Sequence, residues 1–206
     1  MDTNSVGAFT TSSMAPVSIF VTPTKLEALE KTLTNREGLS SDDIQRRLKM
    51  AAVEVDYTTK GMFDYVVTYT SEESAYSQLL ETVEVHKPGS IPLWHIWGYG
   101  RQLWDSSVRV YGEKPIKVTI LGPAASGKST QSELLASKLS VPVIRSGDLL
   151  HAAVESGTEL GIEAKTYLDS AQTVPETLLV ELIKQRIIGD PDCQQLGGIL
   201  EGFPRS

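Results

Sequence analysis

Gly122-Pro-Ala-Ala-Ser-Gly127-Lys128-Ser129 is the stretch of this 206-residue chain whose residue types and spacing point to chemistry. It satisfies the pattern G-x-x-x-x-G-K-S/T. Backbone N–H groups in such a loop, together with the N-terminus of the helix that follows, present partial positive charge to phosphate oxygens. Lys128 adds a full charge near the β- and γ-phosphates, and the Ser129 hydroxyl suits Mg²⁺. Transfer of a phosphoryl group is mostly positioning and electrostatics, so a loop of this kind is its central machinery. The motif by itself does not separate a kinase from an ATPase or a GTPase.

A phosphate loop works only between a strand and a helix, and the flanking residues supply both. Ile116–Leu121 (IKVTIL) reads as a strand, and residues 130–139 as a helix with Leu134, Leu135 and Leu139 turned inward. Residues 141–145 (VPVIR) read as a second strand, followed by short helices over DLLHAAVESG and ELGIEAKTYLDS. A longer helix begins near Pro175 and carries Leu178, Leu179, Leu182 and Ile183, and 197–203 is a third strand. Upstream, residues 18–21 read as a strand. A helix then follows a Thr cap with Pro23 in its first turn and Leu26, Leu29 and Leu33 on one face. Ser41 with Asp42 and Asp43 opens another helix, with Ile44, Leu48, Ala51 and Ala52 on its apolar face. Residues 63–69 form a strand and 71–83 a helix capped by Ser71. Strands alternating with helices imply an α/β fold with a parallel sheet.

Composition narrows the partners. The net charge of −7 argues against a nucleic-acid binder, which wants a basic face, but leaves a single nucleotide open. The one cysteine, Cys193, excludes an internal disulfide and is expected to be a bland thiol. No apolar run approaches the ~18–20 residues of a membrane span. No Lys or Arg precedes Lys25, so neither a standard signal peptide nor a transit peptide is expected, and the expected compartment is the cytoplasm. Residues 86–114 change character: Pro and Gly are frequent, and Trp94, Trp97 and Trp104 all fall here. This is the expected linker between residues 1–85 and 115–206. Its aromatics either pack onto neighbouring helices or form a docking patch for a protein partner, and His95 among them is not expected to be a ligand.

Residues 115–206 resemble the N-terminal half of adenylate kinases and other nucleoside-monophosphate kinases. The resemblance rests on ILGPAASGKSTQ, IRSGDLLHAAVESGTELG, AQTVPETLLVELI and GGILEGFPRS, in the family's order. It implies a P-loop nucleoside-monophosphate kinase fold in which Gly122 and Ala125, Ser126, Gly127, Lys128, Ser129 and Thr130 hold ATP phosphates. Ser146, His151, Gln172, Thr173, Val174, Gly202, Phe203, Pro204 and Arg205 would line the monophosphate site. Lys128 and Arg205 would be catalytic, with Arg205 on the acceptor phosphate, where a guanidinium is a bidentate clamp. Ser129 and Glu201 would face Mg²⁺, the cofactor carried with ATP. Residues 2–83 resemble the C-terminal half of guanylate kinases through SIFVTPTKLEALEKTL, SSDDIQRRLKMA and GMFDYVVTYTSEESAY. That likeness implies lid roles for Arg36 and Arg47.

Several positions depart from these patterns. His151 stands where the family has an arginine on the acceptor phosphate, Glu201 replaces an aspartate, and Ala125 replaces a glycine. If the last position needs a positive φ, alanine costs about 1 kcal/mol there. Thr32 stands in place of a lid arginine, and Tyr69 in place of an asparagine near the adenine.

Each portion lacks what the other supplies: the first has no phosphate loop, the second no lid and no last two core strands. Two arrangements are open. The chain is cut from a longer tandem protein, or its halves assemble into one circularly permuted core closed by the linker. We expect the first, because both ends fall inside a fold, and because a permuted core would carry one strand twice, near 1–4 and at 197–201. A chain without its lid is expected to bind ATP phosphates weakly and to turn over slowly or not at all. The alternative function is a degenerate kinase-fold scaffold that binds nucleotide without efficient turnover.

Overall fold

A short, β-branched run buried on both faces becomes a strand of a parallel sheet only when helices cover it, and the inner strands of this fold are built on such runs. The computed structural model describes residues 16–36, 38–86, 115–170 and 172–203. The strands are β1 (Val17–Pro23), β2 (Tyr65–Tyr69), β3 (Ile116–Leu121), β4 (Val143–Arg145) and β5 (Gly197–Glu201). They form one parallel sheet in the order β2-β1-β3-β5-β4. The helices are α1 (Leu26–Thr34), α2 (Ser41–Asp56), α3 (Glu72–His86), α4 (Lys128–Leu139), α5 (Ser146–Glu155), α6 (Glu159–Asp169), α7 (Glu176–Gly189) and α8 (Pro191–Leu196).

The pairing of β1 with β3 joins the two sequence portions. Val17 stands beside Val118, Ile19 beside Ile120 and Phe20 beside Leu121. The second portion would otherwise leave one edge of β3 unpaired, and an open edge of buried N–H and C=O groups is costly. With β1 and β2 in place, the phosphate-loop strand is the centre of the sheet. Strands of both portions thus share one sheet, as expected of halves that assemble into one core.

The packing is shared in the same way. One cluster holds Ile19, Val21 and Val67 from the first portion with Ile120, Leu135, Leu139 and Ile199 from the second, roofed by Ala75, Leu79 and Val83 of α3. Full burial of each large aliphatic side chain contributes about 1.5–3 kcal/mol. A smaller cluster pairs Phe20 and Phe63, ring centroids 4.7 Å apart, with Leu121. A third, inside the second portion, gathers Ile144, Leu150, Leu178, Leu179, Leu182 and Phe203. Gln131 of α4 is fully buried and donates from Nε2 to the Glu72 carbonyl at 3.0 Å, tying α4 to α3.

Local details refine the sequence reading. Pro23 ends β1 rather than opening α1, whose N-cap is Lys25 without a side-chain bond. Helix α2 opens at Ser41 as read, and Ser40 before it is the N-cap, its hydroxyl accepting from the Asp43 N–H at 3.2 Å. Leu29, Leu33 and Ala51 are buried as expected, but Ala52 is exposed. Ser71 caps α3 by accepting from the Ser74 N–H. Helix α8, capped by Asp190 with Pro191 in its first turn, has no counterpart in the periodicity reading because six residues are too few to show a repeat. Cys193 within it is a free, buried thiol whose pKa burial pushes up, as expected of an unreactive cysteine. Among the described residues, no helix is long and apolar enough to cross a membrane. The Trp94–Trp104 stretch and His95 lie outside the described residues.

Candidate active site

The phosphate loop sits at the C-terminal end of β3, where ligands of open α/β sheets bind. Strand β3 ends at Leu121, the loop turns through 122–127, and α4 begins at Lys128, so the helix N-terminus faces the loop. Two of its glycines are required by neighbours from the first portion. Gly122 has φ 135°, and a Cβ there would lie 2.1 Å from the Val21 carbonyl oxygen. Gly127 has φ 87°, and a Cβ there would lie 2.5 Å from the Tyr69 ring. Tyr69, at the end of β2, therefore packs directly on the loop. Ser126 is buried, and among the described residues its hydroxyl finds no partner.

Ala125 does adopt the positive φ that its departure from glycine put in question, at 65°. Its methyl packs against the cluster of Leu29, Leu33 and Ala51, which belongs to α1 and α2. A left-handed conformation costs a non-glycine residue about 1–2 kcal/mol, and burial of one methyl returns about 0.8 kcal/mol. Ala125→Gly is therefore expected to change stability by less than about 1 kcal/mol, against the clear gain that relief of strain at an open site would give. Urea unfolding of the two proteins checks this.

A pocket of about 540 Å³ opens beside the loop. Leu121, Gly122, Ala124 and Lys128 form one wall, Arg145 to Asp148 at the start of α5 another, and Glu201 and Gly202 its end. The remaining wall is α2, through Arg47, Met50 and Glu54. A smaller apolar cavity of about 250 Å³, walled by Val118, Ile144 and Leu200, contains none of the predicted site residues.

Charges inside the pocket are matched. The Lys128 ammonium donates to the Pro123 carbonyl. Burial pushes its pKa down, opposed by the carboxylates of Glu54 and Glu201. Glu201 is itself buried and accepts two bonds, one on each oxygen: from the Ser129 hydroxyl at 2.5 Å and from Arg145 Nε at 3.0 Å. The longer arm relative to aspartate is thus held at both corners. Arg145 also donates from Nη2 to Glu133 at 2.6 Å. Burial disfavours its charge, but the bonds to Glu201 and Glu133 outweigh this and raise its pKa.

The predicted residues divide by position. Gly122, Lys128, Ser146, Glu201, Gly202 and Arg47 line the pocket, with Ser129 bonded to Glu201 at its edge. Ser146 is buried and donates to the Gly202 carbonyl at 2.9 Å, joining α5 to the end of β5. His151, Gln172 and Thr173 are exposed and outside the pocket lining, while Val174 and Phe203 are core residues. Arg36 is exposed outside the pocket lining, and Thr32 donates to its own helix carbonyl at Ala28. Thr130, in the first turn of α4, is exposed. Pro204 and Arg205 lie outside the described residues. Arg145, Glu54 and Met50 are pocket residues that sequence reasoning missed. Arg145 had a signal, a cation at the C-terminal end of a strand directly before Ser146; Glu54 and Met50 had none, because only the fold of α2 over the loop brings them in.

Comparison with known families agrees with this division of the chain. Residues 120–206 match the family described as adenylate kinase, and residues 1–86 the family described as guanylate kinase. An adenylate kinase of Methanocella arvoryzae is 44% identical over 91 residues, which cover 44% of this chain and 41% of that protein. An adenylate kinase of Syntrophotalea carbinolica is 43% identical over 91 residues, again 44% of this chain and 41% of its own length. The probable adenylate kinase 2, chloroplastic, of Oryza sativa subsp. japonica is 45% identical over 92 residues, 45% of this chain and 31% of that protein. The chain thus spans about two fifths or less of the length of these relatives. The stretch that matches the guanylate kinase model thus precedes the one that matches the adenylate kinase model, and both place strands in the same parallel sheet.

Proposed function

We propose that this chain is a nucleoside-monophosphate kinase that transfers the γ-phosphoryl group of ATP to AMP or another nucleoside monophosphate, with its two portions composing one permuted core. The observation that carries the reading is the Ser129–Glu201 bond at the edge of a pocket that Lys128 and Arg145 line. A loop lysine, a helix N-terminus and an acidic residue on the adjacent strand end are the parts that phosphoryl transfer requires. The loop N–H groups and Lys128 bind and orient the β- and γ-phosphates. Helix α2 closes one side of the pocket and limits water, and Arg47 there supplies a lid cation. The acceptor would lie on the side of Ser146 and Gly202, with Arg205 on its phosphate.

The residues present fit a magnesium ion. Ser129 Oγ and Glu201 Oε1 are adjacent oxygen donors, and among the described residues no group of three His, Cys, Asp or Glu gathers as a self-sufficient metal cage. Magnesium is commonly held by one or two protein oxygens together with substrate phosphates. Bound there with ATP, it would neutralise charge on the phosphates. We place the protein in the cytoplasm and assign it no nucleic-acid or membrane partner, on composition and charge. A protein partner at Trp94–Trp104 stays within the proposal.

The second reading is a nucleotide-binding module without efficient turnover. It draws on the exposure of His151 and Arg36 and on Lys128 donating within its own loop. Phosphoryl transfer from Mg·ATP to AMP, GMP, CMP and UMP in turn separates the two. We expect product with at least one acceptor. ATP binding with no product from any of the four, in folded protein, supports the second reading.

A further inference from the structure

The pocket lining contains three cations among the described residues: Lys128, Arg47 and Arg145. Lys128 belongs to the phosphate loop and Arg47 to α2. Only Arg145 stands on the side where Ser146 and Gly202 join α5 to β5. We propose that Arg145 binds the phosphate of the acceptor monophosphate, supplying in the pocket the permanent charge that His151, exposed and outside its lining, does not. The proposal rests on the kinase reading and assigns that site a specific contact.

The geometry of the guanidinium supports it. Nε and Nη2 are engaged by Glu201 and Glu133 at 3.0 and 2.6 Å. Nη1 has a looser ion contact with Asp148 at 3.8 Å, beyond hydrogen-bond distance, on a carboxylate that is largely exposed. The two acids therefore fix the plane of the group and leave one nitrogen with protons for an incoming anion. A planar guanidinium held on one side by carboxylates and presented on the other is pre-organised, so little entropy is lost when it takes up phosphate. The side chain is 29% exposed, which keeps that nitrogen within reach of a ligand.

The test is calorimetric titration of the whole chain with AMP and with GMP, in Mg²⁺ buffer without ATP, and separately with ATP. Wild type is compared with Arg145→Gln and Arg145→Lys. A charge-assisted bond to phosphate predicts that Arg145→Gln weakens the tighter-binding monophosphate about tenfold or more and leaves ATP affinity within about twofold. Arg145→Lys, which keeps the charge but not the fork, should recover part of the loss. Monophosphate affinity unchanged in Arg145→Gln overturns the role of Arg145 while leaving the kinase reading intact. Equal weakening of ATP and monophosphate also overturns it, since the residue would then act by holding Glu201. Wild-type protein that binds ATP but neither monophosphate overturns the acceptor reading itself.

Discussion

Lys128→Ala is expected to lower phosphoryl-transfer turnover by about 10²–10³-fold, the loss seen when one pre-organised charge-stabilising donor is removed from a site. ATP affinity should fall at least tenfold in the same protein. The reasons lie in the pocket. Lys128 is the cation of the phosphate loop, and its ammonium sits among the Pro123 carbonyl and the carboxylates of Glu54 and Glu201. Without it, the buried carboxylates of Glu54 and Glu201 face the position of the triphosphate with less compensating charge, and their repulsion of a polyanion adds to the lost attraction. Global stability should change little, because the burial that penalises the charged lysine is relieved on its removal and offsets the lost attraction to Glu54 and Glu201. Isothermal titration with ATP and a coupled product assay check both numbers. A nucleotide-dependent rise in melting temperature equal in wild type and Lys128→Ala would show that ATP binds elsewhere.

Ile120→Ala should destabilise the whole chain by about 2–5 kcal/mol, the range for truncating a fully buried isoleucine, and lower Tm on the order of 5–15 °C. Ile120 has no solvent exposure and lies in β3 between Ile19 of β1 and Glu201 of β5. Its cluster contains residues from both sequence portions, so the cavity would be felt by both. Unfolding should remain a single transition by circular dichroism and by tyrosine fluorescence. Two independent modules behave differently. The mutation would then shift only the transition of residues 115–206, and a second transition would stay in place. That outcome would remove the permuted core from the proposed function, because α2 and Arg47 could no longer be held over the phosphate loop.

Much of the site was legible because its physics is local. The 122–129 pattern specifies a turn, a helix N-terminus and a lysine within eight residues, and no distant contact is needed to recognise them. The question of Ala125 was also local: the positive φ belongs to the loop whatever packs on it, and the backbone adopts it. Strand runs such as 116–121 and the apolar faces of α3 and α7 followed from period alone. What period cannot show is which side chain meets which across the sheet. Arg145 reads as an ordinary strand-end charge until Glu201 and Glu133 are found on it. Nothing in the period of α4 marks Gln131 as the residue that bonds to α3.

The sequence by itself determined that the phosphate-loop pattern exists, that strands alternate with helices, and that a guanylate kinase-like stretch precedes an adenylate kinase-like one, matched over 1–86 and 120–206. Those properties are written in neighbouring residues, where spacing and backbone preference suffice. Only the tertiary structure decided that β1 lies beside β3, that α2 walls the pocket, and that Gly122 and Gly127 are pressed by Val21 and Tyr69. The reason is that strand neighbours and pocket walls depend on which buried faces and open edges satisfy one another. That is a property of the whole set of elements.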